Sequence, residues 1–222
     1  MDQILILKDE LKYFIKSKFI LYTSILVPLV LALIYFTSNG FGQIIMIFQM
    51  ICIIASCIIT ANLITEIKEK VFVPFVTRAV KHKTLLFSRF FSVFISVLTP
   101  GILSIIFVLG LDYFYLKINT FQITFGNILN LAAMFICFLV YGSILGLIIG
   151  ILISSLFTGI LLTLFFSNIG IIGLYLLSDK IQSILKISSD NYIIGLIYVI
   201  LSIIISIIGL KISEILFKNK ML

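Results

Sequence analysis

From Asn127 to Leu177 the chain carries no charged residue at all. A bilayer's hydrocarbon core is about 30 Å thick and is crossed by about 20 helical residues, so this run is too long for one crossing and too apolar for water. Only the Ser154–Ser155 pair interrupts it, which places a turn there and a span on either side. The rest of the sequence follows the same rule. Of 222 residues 62% are hydrophobic and 11% are charged, with a mean hydropathy of +1.30. A soluble globule averages about 25% charged residues, and one of this composition would expose large apolar patches and aggregate. The expected fold is therefore an all-α, polytopic membrane protein forming a single transmembrane domain over residues 1–222.

Six spans are predicted, over residues 19–36, 43–65, 90–111, 127–153, 157–177 and 192–210. Before them, Ile4, Leu7, Leu11, Phe14 and Ile15 recur at the helical period, with Lys8, Asp9, Lys12 and Lys16 opposite. Residues 1–18 thus read as an amphipathic helix lying on the membrane. Asp2, Asp9 and Glu10 ahead of the first apolar run, with no small-residue cleavage site behind it, do not fit a signal peptide. Pro28 in the first span and Pro100–Gly101 in the third predict kinks, because proline removes a ladder hydrogen bond.

Cations set the orientation. An even number of spans places both termini, the 66–89 loop and the Ser154–Ser155 turn on one side. That side holds thirteen of the sixteen Lys and Arg residues; Lys117, Lys180 and Lys186 lie on the other. The bias makes the termini and the loop cytoplasmic, in what is expected to be a bacterial cell membrane. The two longest outer segments, 112–126 and 178–191, are too short for a domain of their own. The second, with Ile181, Ile184, Leu185 and Ile187 among its charges, reads as a short interfacial helix.

Several chemistries are excluded by what the spans lack. There is no GxxxxGK[ST] phosphate loop, so the chain cannot hydrolyse ATP as a P-loop enzyme by itself. Its one histidine, His82, is in the cytoplasmic loop, and the centre of each span lacks Asp, Glu, Lys, Arg and His. Ion-coupled pumps and intramembrane enzymes need such groups at depth. Cys52, Cys57 and Cys137 sit in apolar runs without a CxxC or Cys/His pattern and read as small hydrophobes, so no metal site is expected. Gln49, Asn62, Asn130 and Asn168 are candidates to line a translocation path. Hydrogen bonding from helix to helix is the commoner use of such residues. Gly142, Gly146 and Gly150 form a GxxxGxxxG strip, the signature of close helix packing.

The one long polar interruption is Glu66 to Arg89, which gathers six of the sixteen cations among Val71, Phe72, Val73, Phe75 and Val76. Disordered linkers lack such apolar residues. A short helix over 70–77 would present Phe72, Phe75 and Val76 on one face, rimmed by Lys and Arg. That suits insertion into a partner's cleft or adsorption onto anionic lipid.

The order of elements resembles the membrane subunit of ABC-2 type exporters: an amphipathic elbow, six spans, a charged loop between the second and third, and a basic tail. Within the loop, Glu66, Lys68, Glu69 and Lys70 match the family's spaced opening charges. Residues 75–82, FVTRAVKH, run where its hydrophobic pair, proline and arginine fall, and Ser88–Arg89 stands in for its small residue and lysine. Lys70–Val71 replaces a Gly-Thr, and Ala79 the proline. The resemblance implies a coupling helix using Glu66, Lys68, Glu69, Lys70, Phe72, Phe75 and Arg78 against a separate ABC ATPase that binds ATP and Mg, the chain itself holding no cofactor. It also implies a pair of permease subunits, homomeric or heteromeric, and export of a hydrophobic drug or amphipathic peptide such as a toxin or antimicrobial. A membrane binding or immunity protein, or the substrate-capture subunit of an importer, is the alternative. Neither reading involves nucleic acid.

Overall fold

The computed structural model describes residues 29, 41–69, 82–111, 125–185 and 192–221. These form five helices: α1 Phe41–Lys68, α2 His82–Leu111, α3 Phe125–Leu152, α4 Leu156–Leu185 and α5 Ile193–Met221. No strand occurs among the described residues. All five helices contain a stretch long and apolar enough to cross a membrane. The elbow helix expected over 1–18, the first span over 19–36 and the loop centre over 70–81 lie outside the described residues. So do 112–124 and 186–191.

Helices of 28 to 30 residues are about 43 Å long, so their ends project beyond ~30 Å of hydrocarbon. Three of them outrun by two turns or more the apolar segments read from the sequence: α2 begins at His82 where the span was expected from 90, and α4 and α5 run on at their C-terminal ends. The interfacial helix expected over 178–191 is corrected: residues 178–185 are the last two turns of α4, continuous with its apolar part. Polar residues mark where hydrocarbon ends, but nothing between Leu177 and Leu185 stops a helix. Within it, Gln182 donates to the Ser178 hydroxyl at 3.3 Å and Ser183 to the Lys180 carbonyl at 2.8 Å. Likewise α5 continues past Leu210 to Met221. In α2, helix runs through Pro100, and the Ser104 hydroxyl donates to the Pro100 carbonyl at 2.6 Å.

The bundle is built around α3. Of its apolar span 72% is buried inside the protein, against 17% for α4. Lipid tails are as apolar as leucine, so helices gain little by hiding from lipid; close approach and hydrogen bonds must hold them together. Along one face of α3 the glycine strip admits α1. A methyl group on Gly142 would lie 2.9 Å from the Cys52 carbonyl oxygen, and one on Gly146 2.5 Å from that of Ser56. On its other faces α3 reverses the arrangement and inserts its own side chains at partners' glycines. Ile144 fills the space over Gly209 of α5, Tyr141 that over Gly170 of α4, and Phe135 that over Gly101 of α2. The Phe135 ring also packs 4.9 Å from that of Phe48 on α1, and Phe138 meets Tyr198 of α5 edge-on at 6.3 Å.

Register gives the directions. Cys52, Ser56 and Leu63 meet Gly142, Gly146 and Gly150 in ascending order, so α1 and α3 run parallel. Asn130 meets Gly195 and Ile144 meets Gly209, so α5 runs parallel to both. Against α4 the order reverses: Ser56, Thr60 and Ile64 meet Ser167, Thr163 and Gly159. The C-termini of α1, α3 and α5 therefore share one end of the bundle with the α3–α4 turn at 153–155.

Candidate functional site

That shared end carries the sequence's charged loop. At its entry, α1 closes its last turn with the Glu69 amide on the Thr65 carbonyl at 2.9 Å, leaving Lys68 and Glu69 exposed. At its exit, α2 has already begun at His82, so Ser88 and Arg89 lie within the helix and not ahead of it. Arg89 Nη2 and Glu66 Oε1 meet at 2.7 Å, with only 23% and 17% of their side chains exposed. The pair ties α1 to α2 and fixes where the loop leaves and rejoins the bundle. Of the expected coupling residues, Glu66, Lys68 and Glu69 are thus at the loop's base. Lys70, Phe72, Phe75 and Arg78 lie outside the described residues. Arg89 stood in the sequence only as a motif position. Its partner was signalled by opposite charges flanking a loop between antiparallel helices.

The same end is pinned twice more. Lys220, near the end of α5, donates its ammonium to the Ile151 carbonyl, one of the terminal carbonyls that α3 cannot satisfy itself. Ser155 caps α4, its carbonyl accepting from the Gly159 amide at 2.9 Å and its hydroxyl from Thr158 at 3.2 Å.

Of the path candidates, the structure brings Gln49 and Asn168 together and leaves Asn130 and Asn62 apart from them. Gln49 donates its amide to Asn168 across α1 and α4. Asn130 reaches from α3 to the first turn of α5, where its side-chain oxygen accepts from the Gly195 amide at 2.8 Å. Asn62 is on an exposed face of α1. The Gln49–Asn168 pair opens a seam that continues inward through Ser56 and Ser167 at 3.0 Å and Thr60 and Thr163 at 2.9 Å, all four fully buried. Thr60 also lies within bonding reach of the Gly146 carbonyl at 3.2 Å and the Ser56 carbonyl at 3.0 Å, which makes it the junction of α1, α3 and α4. Ser56, Thr163 and Ser167, which with Thr60 form one pair on α1 and one on α4, were not reached from the sequence. Their four-residue spacing on two helices was the available signal.

Chemically, the seam is neutral and hydrogen-bonded within itself. Among the described residues no group of three or more His, Cys, Asp or Glu could hold a metal ion. Cys52, Cys57 and Cys137 are free thiols, two of them buried. No family model, characterised protein or solved structure matches the chain.

Proposed function

We propose that this chain is the permease subunit of an ATP-driven exporter of the ABC-2 type, moving a hydrophobic or amphipathic substrate across the membrane. The observation that carries the reading is the Glu66–Arg89 pair at the base of the charged loop. A loop whose two ends are bound together transmits a push to α1 and α2 as one body. From α1 the displacement passes to α3 through the backbone contact at Gly146, and to α4 through Thr60 and Thr163. Energy would come from a separate ATPase that binds ATP and Mg and receives the 70–78 segment. The cation bias puts this end in the cytoplasm, where such a partner is found. A second permease subunit would complete the pathway.

Affinity purification from native membranes tests the partnership: a P-loop ATPase co-elutes, and charge reversal at Lys70 and Arg78 abolishes export while leaving the chain folded. Purification without any ATPase, together with export that survives the reversals, would rule the reading out.

One observation favours a second reading. Gln49, Asn168 and Asn130 direct their hydrogen bonds to other helices and not to an open path. A membrane binding or immunity protein without transport would be built that way, and it would purify without an ATPase.

A further inference from the structure

The last three turns of α5 hold a feature that the transport reading does not use. They stay docked on the bundle through Ser213 and Phe217, both fully buried, and through the Lys220 contact to Ile151. With those residues turned inward, the 3.6-residue repeat turns Lys211 and Lys218 outward on one stripe, about 10 Å apart along the axis. Both are exposed. The stripe continues towards the middle of the helix as Ile208, Ile207, Ile204 and Ile200, all exposed as well.

We infer that this stripe binds an anionic phospholipid, with the phosphate between Lys211 and Lys218 and an acyl chain along Ile208 to Ile200. Lys211 lies among exposed Ile207, Ile208, Ile212 and Ile215, side chains that belong in hydrocarbon. An ammonium at that depth must extend towards the headgroups or meet a counter-charge, and a lipid phosphate supplies both. Glu214 lies one turn from each lysine and is half-buried; with two lysines against one carboxylate the stripe keeps a net positive charge. A zwitterionic headgroup offers its own cation beside the phosphate and gains less there. A second copy of the chain is the other conceivable cover, but lysine is depleted from the cores of protein interfaces, and a self-contact would bring lysines together. At the opposite end of the bundle, Lys180 is adjacent to Asp179 and forms no such stripe. The inference does not rest on the transport reading, and its test needs no ATPase.

Wild-type protein, K211Q/K218Q and K180Q are purified in a neutral detergent and titrated with phosphatidylglycerol or phosphatidylcholine, bound lipid being counted by native mass spectrometry. Wild type and K180Q prefer phosphatidylglycerol. Loss of both lysines weakens that binding about thirty-fold, and added salt weakens it in wild type. Equal binding of the two lipids by wild type, or a double variant that binds like wild type, overturns the proposal. If the double variant does not fold, the wild-type salt titration decides: a phosphatidylglycerol preference indifferent to salt overturns it. Efficient disulfide formation between copies of an I215C chain in bilayers, with Cys52, Cys57 and Cys137 replaced by alanine, would place a second copy on the stripe and overturn it too.

Discussion

Glu66 and Arg89 join the two ends of the chain's longest polar interruption in a 2.7 Å ion pair that is largely shielded from solvent. Removing one partner deprives the other of this counter-charge, a loss of about 3–5 kcal/mol for a fully buried pair. Partial exposure reduces that to about 1–3 kcal/mol here. E66Q and R89Q should each lower the thermal midpoint in nanodiscs, and the double variant should be less destabilised than the sum of the two. Additive losses in this double-mutant cycle would mean that the pair contributes no coupling.

The glycine strip makes a sharper contrast. A methyl group at Gly146 would meet the Ser56 carbonyl oxygen, and backbone on both sides prevents relief. Gly146→Ala should therefore cost about 1–3 kcal/mol through overpacking. At Gly173 nothing lies within 4 Å of such a methyl group. Gly173→Ala should be neutral or stabilising, by up to about 1 kcal/mol from helix propensity. Comparing the two melting shifts checks the α1–α3 packing directly, since the substitution is chemically the same.

How far the sequence foretold this arrangement depends on the physics behind each feature. The turn at 153–155 was legible because chain length against bilayer thickness leaves no alternative. The strip at Gly142, Gly146 and Gly150 was legible because missing side chains are visible as such. The ends of α4 and α5 were not, since hydropathy reports where hydrocarbon stops while helix continues in water as readily as in lipid. Tertiary pairing was hidden for a different reason. Gln49 and Asn168, or Glu66 and Arg89, become partners only once antiparallel packing sets their register, and no single helix carries that information.

Thr60 tests the seam. Its hydroxyl is positioned between Thr163, the Ser56 carbonyl and the Gly146 carbonyl. Thr60→Val keeps the shape and removes the hydroxyl. Hydrogen bonds between membrane helices average about 0.6 kcal/mol and reach about 1.7, so the loss should fall towards the upper figure at this junction. Thr163→Val should add little to Thr60→Val, because the two hydroxyls share one bond. Two full, additive losses would indicate that Thr60 and Thr163 bond elsewhere.

The shared direction of α1, α3 and α5 makes a topological prediction that does not depend on function. Lys68, Ser155 and Lys218 lie at one end of the bundle and Lys180 at the other, and all four are exposed. In a chain whose native cysteines are alanine, K68C, S155C and K218C should react with an impermeant maleimide from the same side, and K180C only from the opposite side. On the proposed orientation, drawn from the cation bias, the first side is the cytoplasmic one. In intact cells, then, K180C should label without lysis and the other three only after it. Labelling of K180C together with K218C would break the parallel register of α3 and α5 on which the Asn130–Gly195 and Lys220–Ile151 contacts depend.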